Sequence, residues 1–531
     1  MSEEAARSSL GRRCAVRALV AFALCVLASA CASLDLGPRD LGQREWIEVE
    51  VGPFRMVSEL GREDTLRLLE ELDVFRRVAS QLLGLEEASP SAPIRIFALG
   101  DEAYAAFGPP GTGGYFSSTA RGLFIALDGQ ARIEARGIIY HEYTHYLLAQ
   151  SRALSYPRWY DEGLAEVLRG TQVRGEGAIV GLPLEDRLAE LKTYGRKDVT
   201  SVVLPYSSQF GSMSSTFYAT SWLLVHYLQF GIGQGFPDRR QQLLECLKLL
   251  DRGVEARQAF ETAFGMSLAQ LDAELSAYAK AGKMSFFPVK LPLRPRSTPS
   301  VRILDAGSAL AALGDLALHT GNRTRAAAVY RAALRLLPDD PRLLASLARS
   351  VPTNEFERRH PLAERALQLG AADPMVQSEA AFAWLEELEL DPPERPRRKG
   401  SEPAALPLDQ RPDVYRQALR HFERALQSCV DCGEVEFGIG SLLLLPEGDA
   451  VAARMHLERA AGALPADLFI EFQLARAYLR TGSADLARRL LQRQMQRAHE
   501  TSWMPRVARS LAEAEAALDG KASADPAPLS R

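Results

Sequence analysis

Apolar residues alternate with polar ones over Trp46 to Val51, the period of a half-buried strand, and Phe54 to Val57 is placed to pair with it across Gly52-Pro53. From Glu63 to Leu83 the period lengthens, with Leu66, Leu69, Leu72, Phe75 and Val78 on one helical face. Ile94 to Leu99 and Gly122 to Leu127 read as further strands, whereas Gly111 to Phe116 is too rich in glycine for regular structure. The strand at 122–127 is expected at a sheet edge beside a cleft, where an extended substrate could add as a strand. Beyond residue 130 the pattern is mostly helical up to Lys283. Strands first and helices later give an α+β domain over 46–283. Prolines from Pro288 to Pro299 mark a linker, 284–300.

Past Val301 the composition shifts to Ala, Leu and Arg, and a repeat emerges. Leu310, Leu313, Gly314, Ala317, Ala326, Tyr330, Ala333 and Pro338 stand at tetratricopeptide-repeat offsets. Weaker copies fall at 362–369, at Ala418-Phe422-Ala425, at Ala453-Leu457-Ala460-Pro465 and at Leu474-Ala475-Tyr478-Ala487, with an interruption from Glu394 to Arg411. Single repeats cannot bury their faces, so 301–515 is expected to stack into an all-α solenoid, with a disordered tail over 516–531.

The opening residues speak to compartment. Arg12, Arg13 and Arg17 precede an apolar run from Ala18 to Ala30, too short to span a bilayer but suited to a signal peptide, 1–30. Ala28-Ser29-Ala30-Cys31 resembles a bacterial lipobox, with Ala28 where leucine is usual. That resemblance implies acylation of Cys31, a tether over 31–45, and a lipid anchor at the periplasmic face of the outer membrane; secretion as a soluble periplasmic protein is the alternative. The full chain carries a formal charge of −4, and loss of four arginines and two glutamates with the signal leaves −6. No basic run suggests nucleic acid. Cys429 and Cys432 read as a local disulfide or two buried thiols, and Cys246 as a core thiol.

The chemistry is concentrated in His141-Glu142-Tyr143-Thr144-His145. Residues four apart share one helix face about 6 Å apart along the axis, so both imidazoles can reach one ion. Glu142 is offset from them and can act as general base toward water that zinc has acidified to a pKa of about 7. A catalytic zinc needs a third protein ligand. Within 46–283 the only other histidine is His226, while Asp161-Glu162-Gly163-Leu164-Ala165-Glu166 offers carboxylates on a second helix. Sixteen residues separate His145 from Glu162, enough for a turn and a return. Glu166, four further on, is placed to accept the free ring N–H of a ligand histidine, and Asp161 reads as a cap or a solvent-facing acid. Tyr218, Trp222 and His226 stand at spacings of four. Tyr218 is the candidate oxyanion donor and His226 the reserve, though such a stripe is also what core packing produces.

These motifs resemble the gluzincins, whose H-E-x-x-H is followed by a helix carrying the glutamate ligand. More narrowly, Trp46 to about Met284 resembles the bacterial peptidase-MA-like family. The residues carrying that likeness are Gly114-Tyr115-Phe116, the two motifs above, and Tyr218 to Trp222 with Val225, Tyr227 and Leu228. The resemblance implies a zincin-like fold, one catalytic Zn2+ held by His141, His145 and Glu162, and Glu142 as catalytic base. The function so implied is an extracytoplasmic zinc endopeptidase acting on envelope proteins or peptides, its repeats recruiting substrate or partner proteins. A non-catalytic envelope scaffold with a vestigial zincin domain is the alternative from another class, and an amidase acting on cell-wall peptides a third.

Overall fold

The computed structural model describes residues 37–85, 94–109, 112–129, 132–151, 156–204, 214–292, 298–353, 355–388, 411–429, 432–446, 448–497 and 504–524. The signal segment and Cys31 lie outside the described residues. The described strands are β1 (Trp46–Val51), β2 (Phe54–Ser58), β3 (Ile94–Leu99), β4 (Gly114–Thr119), β5 (Gly122–Asp128), β6 (Gln172–Val173), β7 (Gly177–Val180), β8 (Phe287–Lys290) and β9 (Ser300–Leu304). Six of them form a central sheet in the order β4-β5-β3-β2-β1-β9, and the other three a small sheet, β6-β7-β8. In the central sheet β2, β3 and β5 run parallel, and β4, β1 and β9 pair antiparallel at the two sides.

The first helices along the chain are α1 (Pro38–Gly42), α2 (Arg62–Leu83), α3 (Asp101–Phe107), α4 (Arg132–Ser151), α5 (Arg158–Arg169), α6 (Glu185–Tyr194), α7 (Val199–Val203) and α8 (Ser215–Phe230). Both faces of the inner strands β3 and β5 are buried, and period-two alternation sorts the side chains of the sheet. Val49, Phe54, Met56, Ile96, Ile125 and Leu127 point into one core, with α2 and α4. Trp46, Val57, Phe97, Phe124 and Ala126 point into a second core, shared with α1, α3 and the first helices beyond residue 305. Double burial explains the unbroken apolar run Leu123 to Leu127. The sheet therefore joins the two halves of the chain.

Several expectations are corrected here. The proline-spaced segment 284–300 contributes β8, paired with β7, and the start of β9, paired with β1; Pro288 lies inside β8, which a strand at the edge of its sheet tolerates. The tether 31–45 includes α1, whose Leu41 is buried and whose carbonyl accepts the indole N–H of Trp46 at 2.9 Å. The glycine-rich run ends in a regular strand, β4, and β4 rather than β5 is the edge. Gly114 suits that strand because a Cβ there would lie 2.8 Å from Ile138 of α4: glycine permits the close approach of edge strand and helix. Part of the expected tail, up to Ala524, is helical.

The C-terminal half is a series of helical hairpins. Among the described residues, Ala306–His319 packs on Arg323–Leu336, Pro341–Ser350 on Phe356–Leu369, Pro374–Glu387 on Arg411–Gln427, Gly433–Leu443 on Ala450–Ala463, and Leu468–Arg480 on Ala484–Arg497, followed by Met504–Ala524. Each hairpin also packs on the next, the stacking that repeats need to bury their faces. Interfaces are alanine-rich: Ala317, Ala326, Ala333, Ala418, Ala453 and Ala460 are fully buried. The charged interruption falls inside the third hairpin, between helices that still pack together. Cys429 and Cys432 form a disulfide, and Cys246 is a buried thiol. Among the described residues no helix is long and apolar enough to cross a membrane.

Candidate metal centre

The long helix α4 is divided lengthwise by chemistry. Tyr140, Tyr143 and Leu147 face the core, where Tyr140 stacks on Phe75 at 3.9 Å and Tyr143 meets Phe54 edge-on at 5.6 Å. Those contacts fix the rotation of the helix and leave Ile138, His141, Glu142 and His145 on another stripe. The second motif forms α5, with Glu162 and Glu166 buried on one side. This helix is drawn against α8 at Gly163, where a Cβ would lie 2.5 Å from the Ser221 carbonyl oxygen.

The two helices bring His141, His145 and Glu162 together. Nε2 of His141 and Nε2 of His145 are 3.1 Å apart, and Glu162 Oε2 lies 3.4 Å from the first and 3.5 Å from the second. A tetrahedral zinc with bonds of about 2.1 Å sets its ligand atoms about 3.4 Å apart. The donor triangle thus has the size, and the nitrogen and oxygen chemistry, that such an ion requires.

The other nitrogen of each ring is also engaged. Oδ1 of Asp161 lies 2.8 Å from Nδ1 of His145. Oε1 of Glu166 lies 3.0 Å from Nδ1 of His141, an ion-pair approach outside hydrogen-bond alignment. Carboxylates behind ligand rings fix the tautomer that aims Nε2 at a metal. The reading of Asp161 as a cap or solvent-facing acid is therefore corrected; it stands one residue before Glu162, and the first turn of α5 aims it at the ring.

Burial opposes protonation of His141, but Glu162 and Glu166 outweigh it and carry its pKa up to about 9. His145 is likewise buried, yet Asp161 and Glu162 raise it. Burial would also disfavour the Glu166 carboxylate, but His141, Arg187 and Arg169 bring it down to about 2. The second oxygen of Glu166 accepts from Arg187 Nε at 2.8 Å, and Arg169 Nε lies 3.1 Å from it. Arg169 has a sequence signal, three residues past Glu166 on the same helix; Arg187 arrives from α6 and has none.

Glu142 is half-buried and acts electrostatically on both His141 and Tyr218. The Tyr218 phenol is pushed up to about 12 by burial and by the charge of Glu162, and Arg187 lies over its ring at 5.6 Å. His226 is a correction. It is fully buried, with Nε2 donating to the Gly181 carbonyl and Nδ1 accepting from the Tyr278 hydroxyl, both at 2.8 Å. Both nitrogens are committed to the core, so His226 is not an oxyanion donor.

No protein-family model matches this chain, and no curated protein is significantly similar to it. Among solved structures the chain is similar to a thermophilic tetratricopeptide-repeat protein of Thermus thermophilus, at 18% identity over 39% of this chain and 99% of that one, with a TM-score of 0.31. It is also similar to yeast Tom70, at 15% identity over 64% of this chain and 74% of that one, with a TM-score of 0.30. The repeat character of 306–497 rests on the hairpin packing itself.

Proposed function

We propose that the chain is an extracytoplasmic zinc-dependent endopeptidase whose substrates are envelope proteins or peptides. The observation that carries this reading is the donor triangle of His141, His145 and Glu162, with edges of 3.1, 3.4 and 3.5 Å. A zinc ion held there supplies Lewis acidity toward water and a peptide carbonyl. Asp161 and Glu166 orient the rings. Glu142 takes a proton from the attacking water and returns it to the leaving amine. Tyr218 keeps its proton at neutral pH and donates a hydrogen bond to the developing oxyanion. The repeats would hold substrate or partner proteins, and acylated Cys31 would anchor the chain at the outer membrane.

The test is zinc stoichiometry combined with cleavage of a denatured protein by wild type and Glu142→Gln. The variant should bind one zinc per chain and lose cleavage. Equal cleavage by both would refute the assignment. The hairpin array supports a second reading, a non-catalytic interaction scaffold; absence of stoichiometric zinc together with specific protein capture by the repeats would favour it.

A further inference from the structure

The two-residue turn Ala120-Arg121, which joins β4 to β5, points into the repeat array. Arg121 has a side-chain exposure of only 7%. Its Nε donates to Glu434 Oε1 at 2.6 Å, and its guanidinium also pairs with Glu379, whose side chain is 1% exposed. Glu379 and Glu434 stand on Pro374–Glu387 and Gly433–Leu443, the leading helices of the third and fourth hairpins. Arg349, on the leading helix of the second hairpin, donates to the same Glu379 at 3.3 Å and to Glu386 at 3.0 Å. Ala120 packs on the apolar core of these hairpins. The first hairpin grips the rest of the β4–β5 ribbon: Phe124 stacks on His319 at 4.9 Å, and the Ser117 hydroxyl donates to the His319 carbonyl at 3.3 Å.

At its other end this ribbon meets the metal-centre helix. Gly114 of β4 lies against Ile138, one turn before His141 on the same stripe of α4. One short element therefore runs from the histidine helix to the leading helices of the first, third and fourth hairpins, and Arg349 joins the second to them through Glu379.

We infer that Arg121 is a positioning residue: latched by Glu379 and Glu434, it lets the repeat array set where the edge strand β4 lies beside the metal centre. A buried guanidinium between two carboxylates on different hairpins is held only while those hairpins keep their relative placement. Repeats that shift on binding a partner would thus move β4. The inference rests on the hydrolase reading for its catalytic consequence, but the latch itself is measurable without activity.

The experiment is hydrogen exchange on the full chain, comparing wild type with Arg121→Gln/Glu434→Gln. This pair removes one charge of each sign and leaves Glu379 with Arg349, so no buried carboxylate is stranded as it would be in Arg121→Gln alone. Amide exchange across 114–128 should rise about tenfold or more while the α4 and hairpin amides keep their protection. In a peptidase assay KM should rise about tenfold with kcat within about twofold, whereas simple loss of folded protein would lower the apparent kcat and spare KM. Unchanged exchange at 114–128, a uniform rise across the chain, or a local rise with unaltered KM in an active enzyme would each overturn the inference. A wild type that binds no zinc and cleaves nothing would sink the hydrolase reading alone, and exchange would still decide the latch.

Discussion

His145 Nδ1 and Asp161 Oδ1 lie 2.8 Å apart, so the residue preceding Glu162 holds the ring whose opposite nitrogen faces Glu162. One turn of α5 thus supplies both the third corner of the candidate donor triangle and the clamp on one of its rings. Asp161→Asn retains the size of the side chain but removes the charge that favours an Nδ1–H tautomer. It should weaken zinc binding about 10- to 100-fold, read by competition with a chelating dye, with the melting temperature of the apo protein little altered. Unchanged affinity would mean that the ring is oriented by packing alone.

Glu162→Gln should weaken zinc far more than Asp161→Asn, since a neutral amide is a poor zinc donor and the triangle loses its charged corner. Glu166→Gln is predicted to fall between them, because Arg187 and Arg169 would lose a shared carboxylate as His141 loses its partner. Isothermal titration on the three variants ranks them. An order with Glu166→Gln weakest would place the third ligand at Glu166.

Tyr218→Phe removes one hydroxyl and leaves the ring under Arg187. If the phenol stabilises an oxyanion, kcat should drop about 10²- to 10³-fold with zinc occupancy unchanged. A loss smaller than about threefold would assign Tyr218 to packing, the role that its stripe on an apolar helix also permits.

What is legible in the sequence follows the range of the interactions. His141, His145 and Glu142 declare themselves because a helix fixes their spacing within two turns. The strand at Leu123 to Leu127 is readable from its apolar run, but not that the run means burial on both faces. That burial depends on helices beginning near residue 306, and no local period encodes it. Gly114 looks like a loop residue because glycine is usually loop-forming; here it serves an edge strand pressed on Ile138. Asp161 reads as a cap or a solvent-facing acid, and Arg121 and Arg187 carry no local signal, since their partners lie elsewhere in the chain. His226 is ambiguous for the same reason: its stripe spacing suits a site, but its partners Tyr278 and Gly181 are distant in sequence.

Burial holds His226 neutral and lowers its pKa to about 4, below the ordinary 6.5. The unfolded chain therefore takes up this proton first as pH falls. The contribution to stability is complete above about 6.5 and is lost progressively between about 6.5 and 4, at up to about 1.4 kcal/mol per pH unit. Unfolding free energies of wild type and His226→Gln, measured from pH 7.5 to 4, should show a shallower slope in the variant across that window. Parallel slopes would show that the native state takes up this proton over the same pH range as the unfolded chain, against the lowering by burial.

A chain ending at residue 292 tests whether the sheet needs the repeats. It would retain α4 and α5 but lose β9 from the side of β1, and it would uncover the face bearing Trp46, Phe97 and Phe124, each no more than 2% exposed in the full chain. Re-exposing three aromatic side chains costs about 6 kcal/mol at about 2 kcal/mol each, comparable to the whole stability of an ordinary domain. The fragment should aggregate or bind a hydrophobic dye strongly, and its melting temperature should fall well below that of the full chain. Because Phe124 lies in the strand paired with β4, the uncovered face and the edge strand beside the candidate metal centre should loosen together. A soluble, cooperatively folded fragment with full zinc affinity would mean that the site depends on only one face of the sheet.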